Sequence, residues 1–332
     1  MEVAVKDTVV ITGGTSGVGR ACARAFARDG HPVAVLARGQ DALDATLHEL
    51  RAAGVPALAL RVDVTDQHAV DEAADRVERE LGAIGVWVND AMVTVLGTFA
   101  DVPADDFDRV VDVVLGGTAH GTRAALRHMR PRDRGRIIQV GSALAYRGIP
   151  LQSAYCSGKH AVQGLCDSLR ADLLHEHSAV TVSEVNLPAM NTPQFDMCAN
   201  LLDQAPMPVP PIYQPEVAAR AVQYAARTGE RAVEVSFTTT RTLVADRFLP
   251  GSMDLLLGST GVDSQQTDRE RPPGGNLWDP APGDHGCHGS FDRSALDRSR
   301  QEDLRRTPVG TAWRVGNRLG RRVGARVLRR LM

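Results

Sequence analysis

Residues 8–19 read TVVITGGTSGVG, and this stretch decides the fold of the chain. Its first five residues are all β-branched, which favours a buried β-strand. The glycines and small hydroxyl residues that follow are typical of a tight turn. Apolar positions at helical spacing continue over 20–29, so the stretch predicts a strand, a turn and a helix in succession.

The same rhythm of strands and helices continues to about residue 250. Apolar runs predict further strands over 33–36, 57–62, 86–88, 136–140, 180–185 and 232–237, and periodic segments predict helices over 41–53, 67–81, 103–129, 155–175 and 216–227. Short apolar strands that alternate with helices form parallel sheets covered on both faces. We therefore expect an α/β, Rossmann-like doubly wound sheet, which binds ligands at the carboxyl ends of its strands.

Composition excludes several classes of protein. The 332 residues are 43% hydrophobic with a net charge of −2, so the chain can bury a large core and has no overall attraction to nucleic acid. Five cysteines without a C-x-x-C pair argue against a disulfide framework or a zinc site and favour a reducing compartment. We found no signal-peptide pattern and no apolar run of the ~20 residues that cross a bilayer. We therefore predict a cytoplasmic protein.

One insertion and the C-terminal part depart from the rhythm. Residues 188–215 hold seven prolines among apolar side chains, and either cover a substrate or form a packed surface excursion. We divide the chain into a catalytic domain over 1–250, a Gly/Pro-rich tail over 251–310 that we expect to be extended or poorly ordered, and an Arg-rich amphipathic helix over 311–332. That helix could contact a membrane surface, contact an acidic partner or nucleic acid, or pack within the subunit or an oligomer. Asp284, His285, Cys287 and His288 form no spaced ligand pair, so we predict no metal site.

The glycine-rich turn is suited to a pyrophosphate. Glycines let the backbone approach the phosphates, and the start of the following helix offers N–H groups and the positive end of its dipole. This turn places Gly13, Thr15, Ser16, Gly17, Val18 and Gly19 as candidate contacts.

A second motif supplies a phenol and an ammonium. Tyr155 and Lys159 are four residues apart and lie on one face of a predicted helix. A free tyrosine has a pKa near ~10, and a nearby ammonium favours the phenolate and lowers that pKa. The hydroxyl of Ser142 follows a predicted strand and could hydrogen-bond a carbonyl oxygen.

These motifs resemble the short-chain dehydrogenase/reductase family over about residues 5–250. The spacing T-G-x-x-x-G-x-G from Thr12, the Y-x-x-x-K of Tyr155 and Lys159, and Ser142 thirteen residues before the tyrosine all match in order. The resemblance implies that Tyr155 is the catalytic acid and base, that Lys159 also holds the nicotinamide ribose, and that Ser142 binds the substrate oxygen.

The resemblance also implies the cofactor contacts. Asp63 and Val64 would meet the adenine, Asn89 would lie near the cofactor, and Thr192 would meet the nicotinamide carboxamide. No acidic residue follows the second strand to hold a ribose 2′-hydroxyl, and Arg38 stands there instead. Because a guanidinium pairs with a 2′-phosphate, we expect NADP(H) rather than NAD(H).

Four positions depart from the family pattern. Asp90 and Met92 replace an asparagine and a glycine in the usual N-N-A-G, Ala189 replaces a glycine, and Val114 stands where the family has an asparagine that supports a proton-relaying water. These changes leave Tyr155 and Lys159 intact but put the relay in doubt.

The sequence predicts an NADP(H)-dependent enzyme that interconverts a carbonyl and a secondary alcohol on a hydrophobic small molecule. As the family commonly does, we expect it to form a homo-oligomer. The alternative is a dinucleotide-binding scaffold or sensor with little turnover, docked through its C-terminal helix. Epimerase or dehydratase chemistry is a third option without specific support.

Overall fold

The strands and helices build one parallel sheet in the computed structural model, which describes residues 6–271 and 274–306. The strands are β1 (Thr8–Thr12), β2 (Val33–Ala37), β3 (Ala57–Arg61), β4 (Ile84–Asn89), β5 (Val95–Leu96), β6 (Arg136–Ser142), β7 (Thr181–Leu187), β8 (Ala189–Met190), β9 (Ala199–Asn200), β10 (Gln204–Pro206), β11 (Ile212–Tyr213), β12 (Ala232–Glu234), β13 (Gln266–Glu270) and β14 (Ala295–Leu296). Seven of them form the central sheet in the order β12-β7-β6-β4-β1-β2-β3, all parallel. The predicted Rossmann-like fold is confirmed.

The helices cover both faces of this sheet. They are α1 (Gly17–Arg28), α2 (Gln40–Ala52), α3 (Gln67–Leu81), α4 (Ala104–Val111), α5 (Gly117–Met129), α6 (Ser153–His175), α7 (Gln194–Met197), α8 (Pro215–Thr228), α9 (Phe237–Phe248), α10 (Pro250–Thr260) and α11 (Arg300–Arg306). A π-helical turn, Asp112–Gly116, joins α4 to α5. Within the described residues no helix is both long and apolar enough to cross a bilayer.

Alternation along the strands divides the core into two layers. Val9 and Ile11 of β1 pack against α1, α2 and α8, whereas Val10 and Trp87 face α3, α5 and α6. Successive side chains of a strand point to opposite faces, so every central strand except the edge strand β12 contributes to both layers. The sheet is therefore buried on both sides, and its open carboxyl edge is left for ligands.

The segment after residue 250 differs from the expected extended or poorly ordered tail. It contains α10, and β13 pairs antiparallel with β10 while β14 pairs in parallel with β11. The side chains of Leu277 and Cys287 are buried in the two core layers. The insertion over 188–215 supplies the strand edges, β10 and β11, that receive β13 and β14. The predicted Arg-rich helix over 311–332 lies outside the described residues.

Candidate active site

Two adjoining cavities lie at the carboxyl edge of the sheet. The larger has a volume of about 390 Å³ and is lined by Ser142, Tyr155 and Lys159; the smaller, about 130 Å³, is lined by Arg38 and Asp63. Both cavities share part of their walls, namely Gly13, Ser16, Met92, Met197 and Asn276. They therefore form one cleft that runs past the glycine turn.

The glycine turn shapes the floor between the cavities. Gly13 and Gly17 have φ angles of +69° and +51°, which favour glycine. A Cβ on Gly13 would lie 2.8 Å from Ala91 Cα, and one on Gly19 would lie 2.3 Å from the carbonyl oxygen of Gly13. The turn therefore accepts no side chain at these positions, and α1 begins directly behind it.

Helix α6 and strand β6 bring the predicted catalytic side chains together. Lys159 Nζ lies 5.6 Å from the centroid of the Tyr155 ring and donates a hydrogen bond of 2.6 Å to the carbonyl oxygen of Val140. The hydroxyl of Ser142 contacts the Tyr155 phenol and accepts the backbone N–H of Leu144 at 3.1 Å. The three side chains thus share the wall of the larger cavity.

The pKa of Tyr155 moves opposite to the predicted direction. We expected the ammonium of Lys159 to lower it, but burial raises the pKa of Tyr155, and the hydrogen bond from Ser142 opposes that rise. The phenolate loses hydration in the buried site, and this loss outweighs the hydrogen bond from Ser142. In this state the phenol is a proton donor at neutral pH.

Asp90, a departure from the family pattern, lies on the wall of the same cavity as Lys159. It accepts a hydrogen bond from the N–H of Gly19, in the first turn of α1. Burial raises the pKa of Asp90 and lowers the pKa of Lys159, while the attraction between the two groups opposes both shifts. The sequence identified Asp90 only as a substitution, whereas the structure places it on the same cavity wall as Lys159, where the two charges interact.

Val114 occupies the position of the family's relay asparagine and lies in the π-helical turn. Its side chain is buried, and a Cβ on Gly158 would lie 2.9 Å from Val114 Cγ1, so the turn packs directly on the catalytic helix. A π-turn often marks a functional site. Here it presents an apolar side chain, so Val114 itself cannot hold a water.

The other predicted cofactor residues have different surroundings. Thr15, Asp63 and Val64 line the smaller cavity, and Val18 and Thr192 line the larger one. Asn89 differs from its predicted role. Its amide nitrogen donates to Gln139 at 2.8 Å and Thr122 at 3.1 Å, and its oxygen accepts from Trp87, within the buried layer beneath α5. It braces the strands and lines neither cavity, because its amide is taken up by these buried hydrogen bonds.

Arg38 lines the smaller cavity, but its guanidinium already has acceptors. It donates to the carbonyl oxygens of Asn276, Leu277 and Trp278, the last at 2.7 Å. Burial lowers the pKa of Arg38. A guanidinium this close to the second strand can still meet a ribose phosphate, provided that it gives up part of this set of carbonyls.

Several lining residues were missed by the sequence analysis. They belong to α9, α10 and the tail, and include Thr239, Thr242, Met253 and Leu257 at the larger cavity and Asn276, Pro280, Ala281 and His285 at the smaller. No motif described above marks these residues as cavity lining. The insertion over 188–215 also lines the larger cavity, with Met190, Phe195 and Met207 among its contacts.

The cleft fits a nicotinamide dinucleotide. The glycine turn is a cradle that side chains would fill, Arg38 stands at one end, and Tyr155 at the other. Two buried oxygens on the wall of the larger cavity, Thr94 Oγ1 and Asn276 Oδ1, have no protein hydrogen-bond partner and are available to a polar ligand.

The remaining candidates have structural partners. Asp284 pairs with Arg20, His288 pairs with Glu216, and Cys287 is buried in the core. These three residues of the 284–288 segment therefore contact different neighbours. His160 Nδ1 lies 2.8 Å from the carbonyl oxygen of Cys156.

Known proteins share this sequence pattern and this fold. The short chain dehydrogenase family matches residues 7–200. An uncharacterized oxidoreductase of Bacillus subtilis, YxnA, is 32% identical over 272 residues, covering 81% of this chain and 76% of that protein. The probable oxidoreductase EphD of Mycobacterium tuberculosis is 40% identical over 169 residues, but this match covers 50% of this chain and only 28% of that protein.

Solved structures agree with the sequence comparison. An actinorhodin polyketide ketoreductase variant with NADPH superimposes with a TM-score of 0.62 at 27% identity, covering 71% of this chain and 97% of that one. An alcohol dehydrogenase from Thermococcus sibiricus with 5-hydroxy-NADP superimposes with a TM-score of 0.60 at 26% identity, covering 69% and 94%. The predicted resemblance is confirmed: the chain belongs to the short-chain dehydrogenase/reductase family and is an oxidoreductase.

Proposed function

We propose that this enzyme interconverts a carbonyl and a secondary alcohol on a hydrophobic small molecule, using NADP(H). The observation that carries the proposal is the position of Tyr155, Ser142 and Lys159 on the wall of one cavity that adjoins the glycine turn. A dinucleotide whose pyrophosphate lies on that turn reaches the phenol with its nicotinamide end.

The chemistry requires a hydride and a proton. Oxidation of a secondary alcohol removes a hydride from carbon and a proton from oxygen, and reduction returns both. A bound nicotinamide supplies or accepts the hydride. The Tyr155 phenol gives or takes the proton, Ser142 holds the substrate oxygen, and Lys159 holds the ribose with a charge stabilised by Asp90.

The cavity wall supports an apolar substrate. Apolar side chains from five parts of the chain dominate it, including Met92, Leu96, Leu144, Ile149, Met190, Phe195, Met207, Val209, Met253 and Leu257. A volume of about 390 Å³ is typical of sites for small organic ligands. The similarity to a polyketide ketoreductase also supports a carbonyl compound as the substrate of this enzyme.

Arg38 and the absence of an acid after β2 support NADP(H). Both similar solved structures are described with a phosphorylated cofactor, NADPH in one and 5-hydroxy-NADP in the other. We also propose that the protein forms a homo-oligomer, because members of the family commonly do. We propose a cytoplasmic location because all five cysteines are unpaired. Contact of residues 311–332 with a membrane stays a hypothesis from the sequence.

The test removes the hydroxyl group of Tyr155 and keeps its aromatic ring. Tyr155→Phe should lower kcat by roughly 10²–10⁴-fold, because proton transfer contributes about that much, while the Kd of NADPH stays within about threefold. Steady-state kinetics on a panel of apolar ketones and fluorescence titration of NADPH measure the two quantities. Tyr146→Phe is the matched control, since its hydroxyl accepts a hydrogen bond from Asn186 and lies outside both cavity walls. Full activity of Tyr155→Phe would refute the assigned role.

A binding protein with little turnover is the second candidate. Val114 favours it, because the site lacks the amide that supports a relay in the family. Tight binding of NADPH without oxidation by any ketone or aldehyde would support this alternative, and turnover on the panel would exclude it.

A further inference from the structure

Residues 276–289, which we call the strap, run along the smaller cavity and reach the glycine turn. They begin at the smaller cavity beside Arg38 and end beside the glycine turn and Thr192. They lie beyond the part of the chain that matches the short chain dehydrogenase family, which ends at residue 200. The matched family region therefore does not account for them.

The first end of the strap is fixed by two arginines. Arg38 donates to three successive backbone carbonyls, those of residues 276–278. Arg109 donates to the carbonyl oxygen of Leu277 at 3.2 Å, and its guanidinium lies 5.5 Å from the centroid of the Trp278 ring. Trp278 Nε1 donates to Asp106 at 2.7 Å. Most of these contacts are made to backbone carbonyls of the strap, so they fix the position of its backbone more than that of any one side chain.

The second end is fixed at the start of α1. The carboxylate of Asp284 pairs with Arg20, a buried guanidinium that also pairs with Glu49 at 2.7 Å. The carbonyl oxygen of Gly286 accepts the N–H of Gly17 at 3.0 Å. Gly17 belongs to the turn that cradles the pyrophosphate, so the strap is attached to the cofactor loop itself.

Between these ends the strap forms a wall of the smaller cavity. Asn276, Pro280, Ala281 and His285 face a floor made by Arg38, Asp63 and Val64. A ligand in this cavity of about 130 Å³ would therefore lie between the strap and that floor.

We propose that the strap is part of the cofactor site: it encloses the adenosine end of the bound dinucleotide and must detach from Arg20 and Gly17 for the dinucleotide to exchange. This inference rests on the proposed function, because it needs a dinucleotide in the cleft. The strap makes exchange slow and keeps the cofactor bound between turnovers. When a 2′-phosphate binds Arg38, it replaces some of the backbone carbonyls to which Arg38 donates hydrogen bonds. The Arg20–Asp284 pair then holds the strap closed.

The decisive variant breaks the second attachment without disturbing the core. In Asp284→Asn the buried Arg20 keeps Glu49 as a charged partner, so the fold survives. Asp268→Asn is the matched control, an exposed aspartate on β13 outside both cavity walls. The rate of NADPH release is measured by stopped-flow fluorescence after an excess of NADP⁺ is added. Hydrogen exchange of the amides over 284–289 reports strap opening directly.

Release should be roughly tenfold faster in Asp284→Asn than in the wild type, a factor that corresponds to the loss of a single charged contact. Amides over 284–289 should be protected in the NADPH-bound wild type and exchange faster in the variant, while Asp268→Asn matches the wild type in both. Trp278→Ala, which loosens the first end at an exposed side chain, should also speed release.

Two results would overturn the inference, and only the second would also overturn the proposed function. Equal release rates in the wild type, Asp284→Asn and Trp278→Ala, with normal turnover, would overturn the strap alone. Failure of the wild type to bind NADPH or NADH at all would overturn the proposed function together with the strap.

Discussion

At the residue scale, Asp90 places a carboxyl group near Lys159, at a position where the family has a neutral amide. The same site lacks the relay asparagine, whose position Val114 fills with an apolar side chain. The attraction between Asp90 and Lys159 offsets part of each group's loss of hydration, but burial still raises the pKa of Asp90 and lowers the pKa of Lys159. A charged Asp90 therefore favours the ammonium form of Lys159.

Asp90→Asn should shift the pH profile in a defined direction. Removing the carboxylate removes the attraction that raises the pKa of Lys159, so the ammonium is lost at a lower pH. The alkaline limb of kcat/KM should move down by roughly one pH unit, the effect of one nearby opposite charge. The profile is measured between pH 5.5 and 10.

Other groups near the pair do not titrate in that range. Burial raises the pKa of the Cys22 and Cys166 thiols and of the Tyr155 phenol, so these groups stay neutral. Asp268→Asn again serves as the control. An alkaline limb in Asp90→Asn that coincides with the wild type would show that the carboxylate does not support Lys159.

At the scale of elements, α9 and α10 close the larger cavity from above. Thr239 and Thr242 of α9 and Met253 and Leu257 of α10 line it, although α10 has no fully buried side chain. Arg147 holds both helices, because its guanidinium pairs with Asp246 of α9 at 3.0 Å and with Asp254 of α10. This arginine therefore links both helices to the cavity wall.

Arg147→Gln should therefore weaken substrate binding more than chemistry. Loss of both ion pairs loosens the apolar wall, and we expect KM for an apolar ketone to rise roughly 5- to 30-fold, which corresponds to about 1–2 kcal/mol, with kcat changed less than threefold. Arg241→Gln, at an exposed position on α9 outside the cavity walls, is the control. A large fall in kcat with unchanged KM would assign Arg147 to the chemistry instead.

At the scale of the whole molecule, the cofactor should join parts of the chain that are far apart in sequence. The cleft lies between the matched family region and the strap, so a ligand there stabilises both relative to the unfolded chain. NADPH at about 100 times its Kd should raise the free energy of unfolding by about 2.7 kcal/mol. NADH at the same concentration should raise it by about 1.4 kcal/mol less for each tenfold weaker affinity.

Urea denaturation with and without each cofactor measures these increments. In Arg38→Asp the increments from NADPH and NADH should become similar, because the 2′-phosphate loses its guanidinium. Each variant is compared only with its own cofactor-free form, since Arg38 also holds the strap. Equal increments from the two cofactors in the wild type would contradict the NADP(H) preference.

The sheet and the grouping of Tyr155, Lys159 and Ser142 in one cavity were predictable because their signals are local. Apolar runs, the glycine turn and the four-residue spacing of Tyr155 and Lys159 lie within short stretches of chain, and each reports on its own element. Asn89 shows the limit of this reasoning, since the motif predicted a cofactor contact while tertiary hydrogen bonds to Trp87, Thr122 and Gln139 occupy the side chain.

The sequence by itself determined the parallel sheet, the family and the Tyr155–Lys159–Ser142 set, because strand and helix periodicity and motif spacing are properties of neighbouring residues. Only the tertiary structure decided that Asp90 interacts with Lys159, that Arg38 is shared with the strap, and that residues after 250 complete both cavities. These are contacts between residues as far as 240 positions apart. Burial and charge pairing at such separations arise only when the chain has folded, and no local pattern encodes them.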